Sequence, residues 1–252
     1  MPTLQRDDVD LYFETHGSGP AVLLTHGYSA TSQMWRPQID VLAANHTLIL
    51  WDMRGHGRSG SPDDPNAYGE AQTTADMAAL LDHHGFESGI IGGLSLGGYM
   101  SLAFYADYRD RVDALLIIDT GPGFKKDAAR EAWNQTAIAR AEDIEARGFA
   151  ALEGRSAEQA QAEHKSTQGL AMAARHMLTQ RTSRVIETLP RIGVPSLVVV
   201  GADDEPFLIA TDYMASKIPG AEKVVVPAAG HAVNLDQPEA FNKAATAFLS
   251  KL

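Results

Sequence analysis

The chain has 252 residues, 44% of them hydrophobic, and a formal net charge of −11. That length suits one large single-core domain, and the surplus of carboxylates would be repelled by nucleic acid and by anionic membrane surfaces, which excludes both as partners. There is no cysteine, so disulfides, thiolate metal sites and a cysteine nucleophile are excluded as well.

The first residues, Met1-Pro2-Thr3-Leu4-Gln5-Arg6-Asp7-Asp8, lack the basic and apolar regions of a secretory leader. No apolar run approaches the ~18 residues of a membrane span, so a cytoplasmic protein is expected. Residues 9–14 alternate and precede Gly17-Ser18-Gly19-Pro20, which predicts an edge hairpin. An unbroken apolar run at 21–25 predicts a strand buried on both faces. Trp35, Ile39, Leu42 and Ala43 then form a helical stripe. A strand is expected at 47–51, and a second helical stripe holds Met77, Leu80, Leu81 and His84. Further strands are expected at 90–92, 114–119, 196–201 and 223–227. Phe241, Ala244, Ala245, Phe248 and Leu252 mark a last helix, opened by Asp236 and Glu239 as a capping box. Strands alternating with helices predict an α/β fold, a mostly parallel sheet covered on both faces.

One block breaks the alternation. Between Pro122 and Pro190 there is no proline and no convincing strand. Trp133, Ala137, Ala141 and Ile144 recur at helical spacing, as do Leu170, Ala174, Met177 and Leu178. Residues 124–187 therefore read as a helical cap, or lid, inserted into a core made of 1–123 and 188–252. An insertion over the C-terminal edge of a parallel sheet would roof the crevice where such folds bind ligands. Trp133, Phe149, Met172 and Phe207 are candidate pocket residues, but core packing is the expected role of each.

The densest chemical signal is Gly93-Leu94-Ser95-Leu96-Gly97, between a strand and a helix-like run. The G-x-S-x-G pattern describes a nucleophile elbow, a strained turn that holds the serine hydroxyl out over the sheet. A serine needs a base, and the base needs an acid to orient it. Past the strand at 196–201 come Ala202-Asp203-Asp204, and past the strand at 223–227 comes Gly230-His231. Ser95, Asp204 and His231 are thus three strand-end residues in the order nucleophile, acid, base; Asp203 is assigned to the turn. The oxyanion hole should use the backbone N–H of Leu96 and that of Tyr28, which follows His26-Gly27 after the strand at 21–25. His26 is expected to brace that turn, and Asp52, Arg54 and His56 to buttress the site. His83 and His84 lie about 100° apart on a helix and cannot form a metal pair. No metal site and no cofactor are expected.

In His26-Gly27, the 52–59 loop, Gly93–Gly97, Gly201-Ala202-Asp203-Asp204 and Gly230-His231, the chain resembles the α/β-hydrolase fold superfamily over nearly its whole length. The resemblance implies an eight-stranded, mostly parallel sheet and a helical cap after the sixth strand. Within the superfamily the pattern is similar to small serine carboxylesterases and 3-oxoadipate enol-lactonases. It implies hydrolysis of a small carboxylic ester or lactone through an acyl-enzyme. Dehalogenases and epoxide hydrolases of this fold use an aspartate nucleophile, from which Ser95 departs. Cofactor-free haloperoxidases and perhydrolases share the serine triad, but many carry a proline soon after the His-Gly pair, and 28–35 has none. Carbon–carbon bond hydrolysis and a ligand-binding sensor with a retained triad are the alternatives; multiple turnovers would discriminate enzyme from sensor. The oligomeric state is not readable from the sequence.

Overall fold

The computed structural model describes residues 2–6, 9–154 and 156–252. Among them, eight strands form one sheet: β1 (Thr3–Arg6), β2 (Val9–His16), β3 (Ala21–Thr25), β4 (Thr47–Trp51), β5 (Gly89–Leu94), β6 (Val112–Ile118), β7 (Ser196–Gly201) and β8 (Glu222–Val226). Their spatial order is β1-β2-β4-β3-β5-β6-β7-β8. Only β2 is antiparallel to its neighbours, β1 and β4; β3 to β8 are parallel throughout. The hairpin at the edge therefore differs from the expected one. It pairs β1 with β2; the residues between them, 7 and 8, lie outside the described residues, and the Gly17–Pro20 segment instead leads β2 away to β3, which is not its neighbour.

The helices are α1 (Ile39–Leu42), α2 (Glu70–His83), α3 (Leu96–Asp107), α4 (Asp127–Arg147), α5 (Ala157–Ala160), α6 (Thr167–Ala173), α7 (Arg184–Thr188), α8 (Glu205–Lys217), α9 (Val233–Asp236) and α10 (Pro238–Leu249). The stripe at Trp35–Ala43 splits into a 3-10 turn over Ser32–Gln38 and the short α1, with Pro37 inside the turn. A proline cannot supply the N–H that a continuous α-helix requires there. The predicted capping box is absent: α10 starts at Pro238 without a side-chain cap. The Asp236 carboxylate instead accepts the Gly230 N–H at 2.8 Å, next to His231.

Side chains of the parallel strands alternate between two apolar layers, as a pleated strand requires. Leu23, Ile49, Ile91, Leu115 and Val198 face α2 and α3. Val22, Leu24, Leu48, Leu116 and Val199 face Trp35 and the Phe241–Phe248 stripe of α10. Between β6 and β7 the chain carries α4, α5, α6 and α7. Ala141, Ile144, Leu170 and Met177 of this segment belong to the same apolar cluster as α2 and α3. The segment is thus continuous with the core on one side of the sheet.

Chain order reverses between β3 and β5: β4 lies on one side of β3 and β5 on the other. In open parallel sheets, ligands bind outside the carboxyl ends of the strands at such a switch point. Tyr28 lies just beyond β3 and Ser95 just beyond β5.

Candidate active site

Ser95 occupies the single residue between β5 and α3, at φ 56° and ψ −116°. A non-glycine residue in this region carries strain of roughly 1–3 kcal/mol and persists only where its surroundings enforce it. The enforcement is visible. Ser95 N–H donates to Ile118 O at 2.9 Å, and Thr120 Oγ1 donates to Ser95 O at 2.6 Å. The flanking glycines have no substitute: a Cβ at Gly97 would stand 2.2 Å from Thr25 O, and one at Gly93 would stand 2.5 Å from the Gly97 carbonyl carbon. Leu96 is the first residue of α3, where a backbone N–H has no intrahelical acceptor and the helix dipole favours negative charge.

Asp204 and His231 meet beside it. His231 Nδ1 donates to Asp204 Oδ2 at 2.7 Å, which leaves Nε2 as the nitrogen that can exchange a proton. Asp204 is buried, whereas Asp203 is exposed and its N–H donates to Ala229 O in the turn. The Phe207 ring stacks on the imidazole, with centroids 4.9 Å apart. Burial disfavours the imidazolium, but the hydrogen bond and charge of Asp204, helped by Asp119 and Glu158, outweigh it and raise the His231 pKa.

Asp119, directly after β6, is a participant that the sequence reading overlooked. It is fully buried at φ 41°. Its carboxyl accepts Gly201 N–H at 2.8 Å and Val233 N–H at 3.2 Å. It therefore ties the strand end that carries Asp204 to the segment that carries His231. Burial pushes its pKa up to about 8, against the pull of the Gly201 bond and of His231.

The opposite wall comes from the ends of β3 and β4. His26 Nδ1 donates to Gly27 O at 2.7 Å, and Nε2 accepts the Met53 N–H at 2.9 Å. Both ring nitrogens are used, so His26 stitches the two loops together. Asp52 accepts Ser32 N–H and Arg58 N–H, and Arg54 grips Asp76 through two nitrogens, at 2.6 and 2.9 Å. The turn at Tyr28 is also held by the inserted helices. Tyr28 OH donates to Leu170 O at 2.9 Å, and Gln159 Nε2 donates to Tyr28 O at 3.4 Å. His164 Nε2 donates to Ser29 O at 3.1 Å, while its Nδ1 accepts Gly57 N–H at 3.0 Å. Ser29 itself has φ 54°.

Two cavities meet at Ser95. One, of about 240 Å³, is walled mainly by Leu96, Tyr99, Pro122, Phe124 and Ala210. The other, of about 390 Å³, is walled by Gly27, Tyr28, His231, Arg140, Glu158 and Gln159. Trp133, Leu178 and Phe207 separate them and border both. Trp133 and Phe207 are thus pocket walls rather than core. Phe207 sits in the first turn of α8 and rides over His231 because the same turn carries Asp204. Trp133 is pinned by its indole N–H, which donates to Leu178 O at 2.8 Å. Phe149 is 47% exposed and Met172 packs against the core, so neither reaches the cavities. A Cβ built on Gly27 would stand 3.5 Å from the Ser95 Cβ, so the bare glycine leaves the approach to the serine clear.

Arg140 and Glu158 were not singled out from the sequence. A signal for Arg140 existed: Trp133, Thr136, Ala137 and Arg140 follow i, i+3, i+4, i+7 spacing and all border the second cavity. Among the described residues, no group of three or more His, Cys, Asp or Glu is disposed to hold a metal ion, and no helix is long and apolar enough to cross a membrane.

Residues 22–244 match the Alpha/beta hydrolase family. The sequence is 30% identical to an Azorhizobium caulinodans protein provisionally named carbamate hydrolase RutD, over 100% of this chain and 99% of the relative. It is 26% identical to 3-oxoadipate enol-lactonase 2 of Acinetobacter baylyi, over 99% of this chain and 96% of the relative. A solved thermophilic esterase from Thermogutta terrifontis aligns with a TM-score of 0.83 at 30% identity, covering 96% of this chain and 94% of that one.

Proposed function

Because the chain belongs to the alpha/beta hydrolase family, we propose that it is a serine hydrolase that cleaves a small carboxylic ester or lactone through an acyl-enzyme. The observation that carries this reading is the Asp204–His231 hydrogen bond of 2.7 Å, at the wall of a cavity that Ser95 also lines. His231 Nε2 takes the Ser95 hydroxyl proton as Oγ attacks the carbonyl carbon. The carbonyl electron pair moves onto oxygen, where the N–H groups of Tyr28 and Leu96 stabilise it. As the pair returns, the bond to the leaving oxygen breaks, and Nε2 delivers its proton there. Water then repeats the sequence on the ester of Ser95, with His231 first as base and then as acid. Asp204 keeps the Nδ1 tautomer fixed and stabilises the imidazolium throughout.

The inserted helices act as the roof, since they supply Trp133, Leu178 and the wall opposite Phe207. Alanine at Ser95 tests the mechanism. Hydrolysis of p-nitrophenyl butanoate should lose ~10⁶-fold in turnover. Near-parental turnover by the folded variant would overturn the proposal.

A further inference from the structure

The two cavities differ in chemistry, and they also differ in which catalytic groups they share. The smaller has mainly apolar walls, and it carries no charged side chain. Tyr99 OH donates to Glu70 and Thr120 Oγ1 donates to the Ser95 carbonyl, while the Gln180 amide oxygen is buried without a hydrogen-bond partner among the described residues. It borders Leu96 but not His231. The larger borders His231 and contains a mismatched pair of charged side chains, Arg140 and Glu158.

Glu158 is 3% exposed. Its Oε1 accepts the Ser156 hydroxyl, while its Oε2 is buried with no hydrogen-bond partner among the described residues. A buried carboxylate oxygen without a donor is costly to leave so. Arg140 sits with its guanidinium carbon 5.6 Å from the Tyr28 ring centroid, where the aromatic face steadies the cation. No hydrogen bond joins Arg140 to Glu158, although they border one chamber. The chamber therefore offers an acceptor on one wall and a fork of donors on another. Helix α5, which carries Glu158, packs against α9, the helix that follows His231.

The chemistry orients the substrate between these chambers. The proton on His231 Nε2 must reach the leaving oxygen, so the leaving group lies on the His231 side. The acyl group stays on Ser95 and must occupy the remaining space, beside Leu96. We propose that Arg140 and Glu158 form a leaving-group subsite. The preferred substrate is then an ester or lactone with a small, mainly apolar acyl portion and a neutral alcohol portion that carries a hydrogen-bond donor next to an acceptor, as a secondary amide does. Its N–H would donate to Glu158 Oε2, and its carbonyl would accept from Arg140. A carboxylate on the alcohol portion would suit Arg140 but be repelled by Glu158. This inference rests on the proposed serine mechanism and specifies its substrate.

The test compares two butanoate esters of similar shape, those of N-methylglycolamide and of 2-methylbutanol. Their kcat/KM ratio is divided by the same ratio for hydroxide-catalysed hydrolysis, which removes intrinsic reactivity. The wild-type enzyme should favour the amide ester on the order of 10- to 100-fold. Arg140→Met and Glu158→Leu should each bring the corrected ratio towards one, mainly by loss on the amide ester. Glu158→Gln, which keeps the shape and one acceptor oxygen, should fall between and guards against misfolding. A wild-type ratio at or below one, or a preference unchanged in both Arg140→Met and Glu158→Leu, overturns the subsite. If Ser95→Ala still turned these esters over, the mechanism itself would fail, and that result is separate from the ratio.

Discussion

Each wall of the site sets a histidine near a buried aspartate, yet the two histidines, His231 half-buried and His26 fully buried, are driven in opposite directions. His231 gives its Nδ1 proton to Asp204, and its pKa rises. Burial lowers His26 to about 4, although the charge of Asp52 pulls the other way. The difference lies in what the aspartates accept. Asp204 is spent on the imidazole, whereas Asp52 is spent on the N–H groups of Ser32 and Arg58. His26 is saturated by backbone groups, which suits a neutral ring. Proximity to a carboxylate does not by itself raise a histidine pKa: the half-buried ring bonded directly to its carboxylate is raised, and the fully buried ring without such a bond is lowered.

That contrast can be broken by substitution, and the largest effect separates the walls. Glutamine at His231 should lower kcat by ~10⁶-fold with little change in unfolding midpoint. Glutamine at His26 should instead destabilise the fold by roughly 1–3 kcal/mol, by losing a saturated buried group. A His26 variant that kept its stability and lost turnover would erase the distinction. Next in size, Asp204→Asn should cost ~10⁴-fold in kcat through the wrong tautomer, with KM nearly unchanged.

The pH profile sharpens the same comparison. His231 must be neutral to act as a base, and its pKa is raised, so the acidic limb of kcat/KM should have its midpoint above the ordinary histidine value of ~6.5. A midpoint below that value would show that Asp204 does not govern the ring. Stability on the other wall should run the opposite way. His26 is depressed, so its contribution is present above the unfolded value and is lost as pH falls from ~6.5 towards 4. The advantage of wild type over His26→Gln in melting temperature should shrink across that window.

The smallest effect concerns Asp119. Its folded pKa is raised to about 8, so the protonated form is the one the fold favours, and stability is lost as pH rises from ~4 through 8. The melting-temperature gap between wild type and Asp119→Asn should therefore narrow over that range. A gap independent of pH would mean that the carboxyl does not titrate there.

Most of this architecture could be read from residue pattern because parallel strands buried on both faces are unbroken apolar runs. The runs at 21–25, 47–51 and 196–201 coincide with β3, β4 and β7. Edge strand β1 escaped, since its residues alternate between exposed and half-buried and carry no apolar run. Asp236 looked like a helix cap because its spacing to Glu239 fits one, but the Gly230 N–H holds its carboxylate. The residues proposed for catalysis stand at strand ends beside glycines, which makes them conspicuous. The cavity walls were harder, for a physical reason. A helix that lines a pocket has the same periodicity as one that lines a core, so Trp133 read as packing and Arg140 did not stand out. Glu158 has no local signature; its meaning comes from the unpartnered oxygen that only the fold creates.

The three bonds from Leu170, Gln159 and His164 to the Tyr28–Ser29 turn join the inserted helices and the turn proposed to hold the oxyanion into one interlocked part. Under the proposed mechanism, any change that loosened these three bonds would lower turnover even though none of the three donors or acceptors on the helices touches the substrate carbonyl.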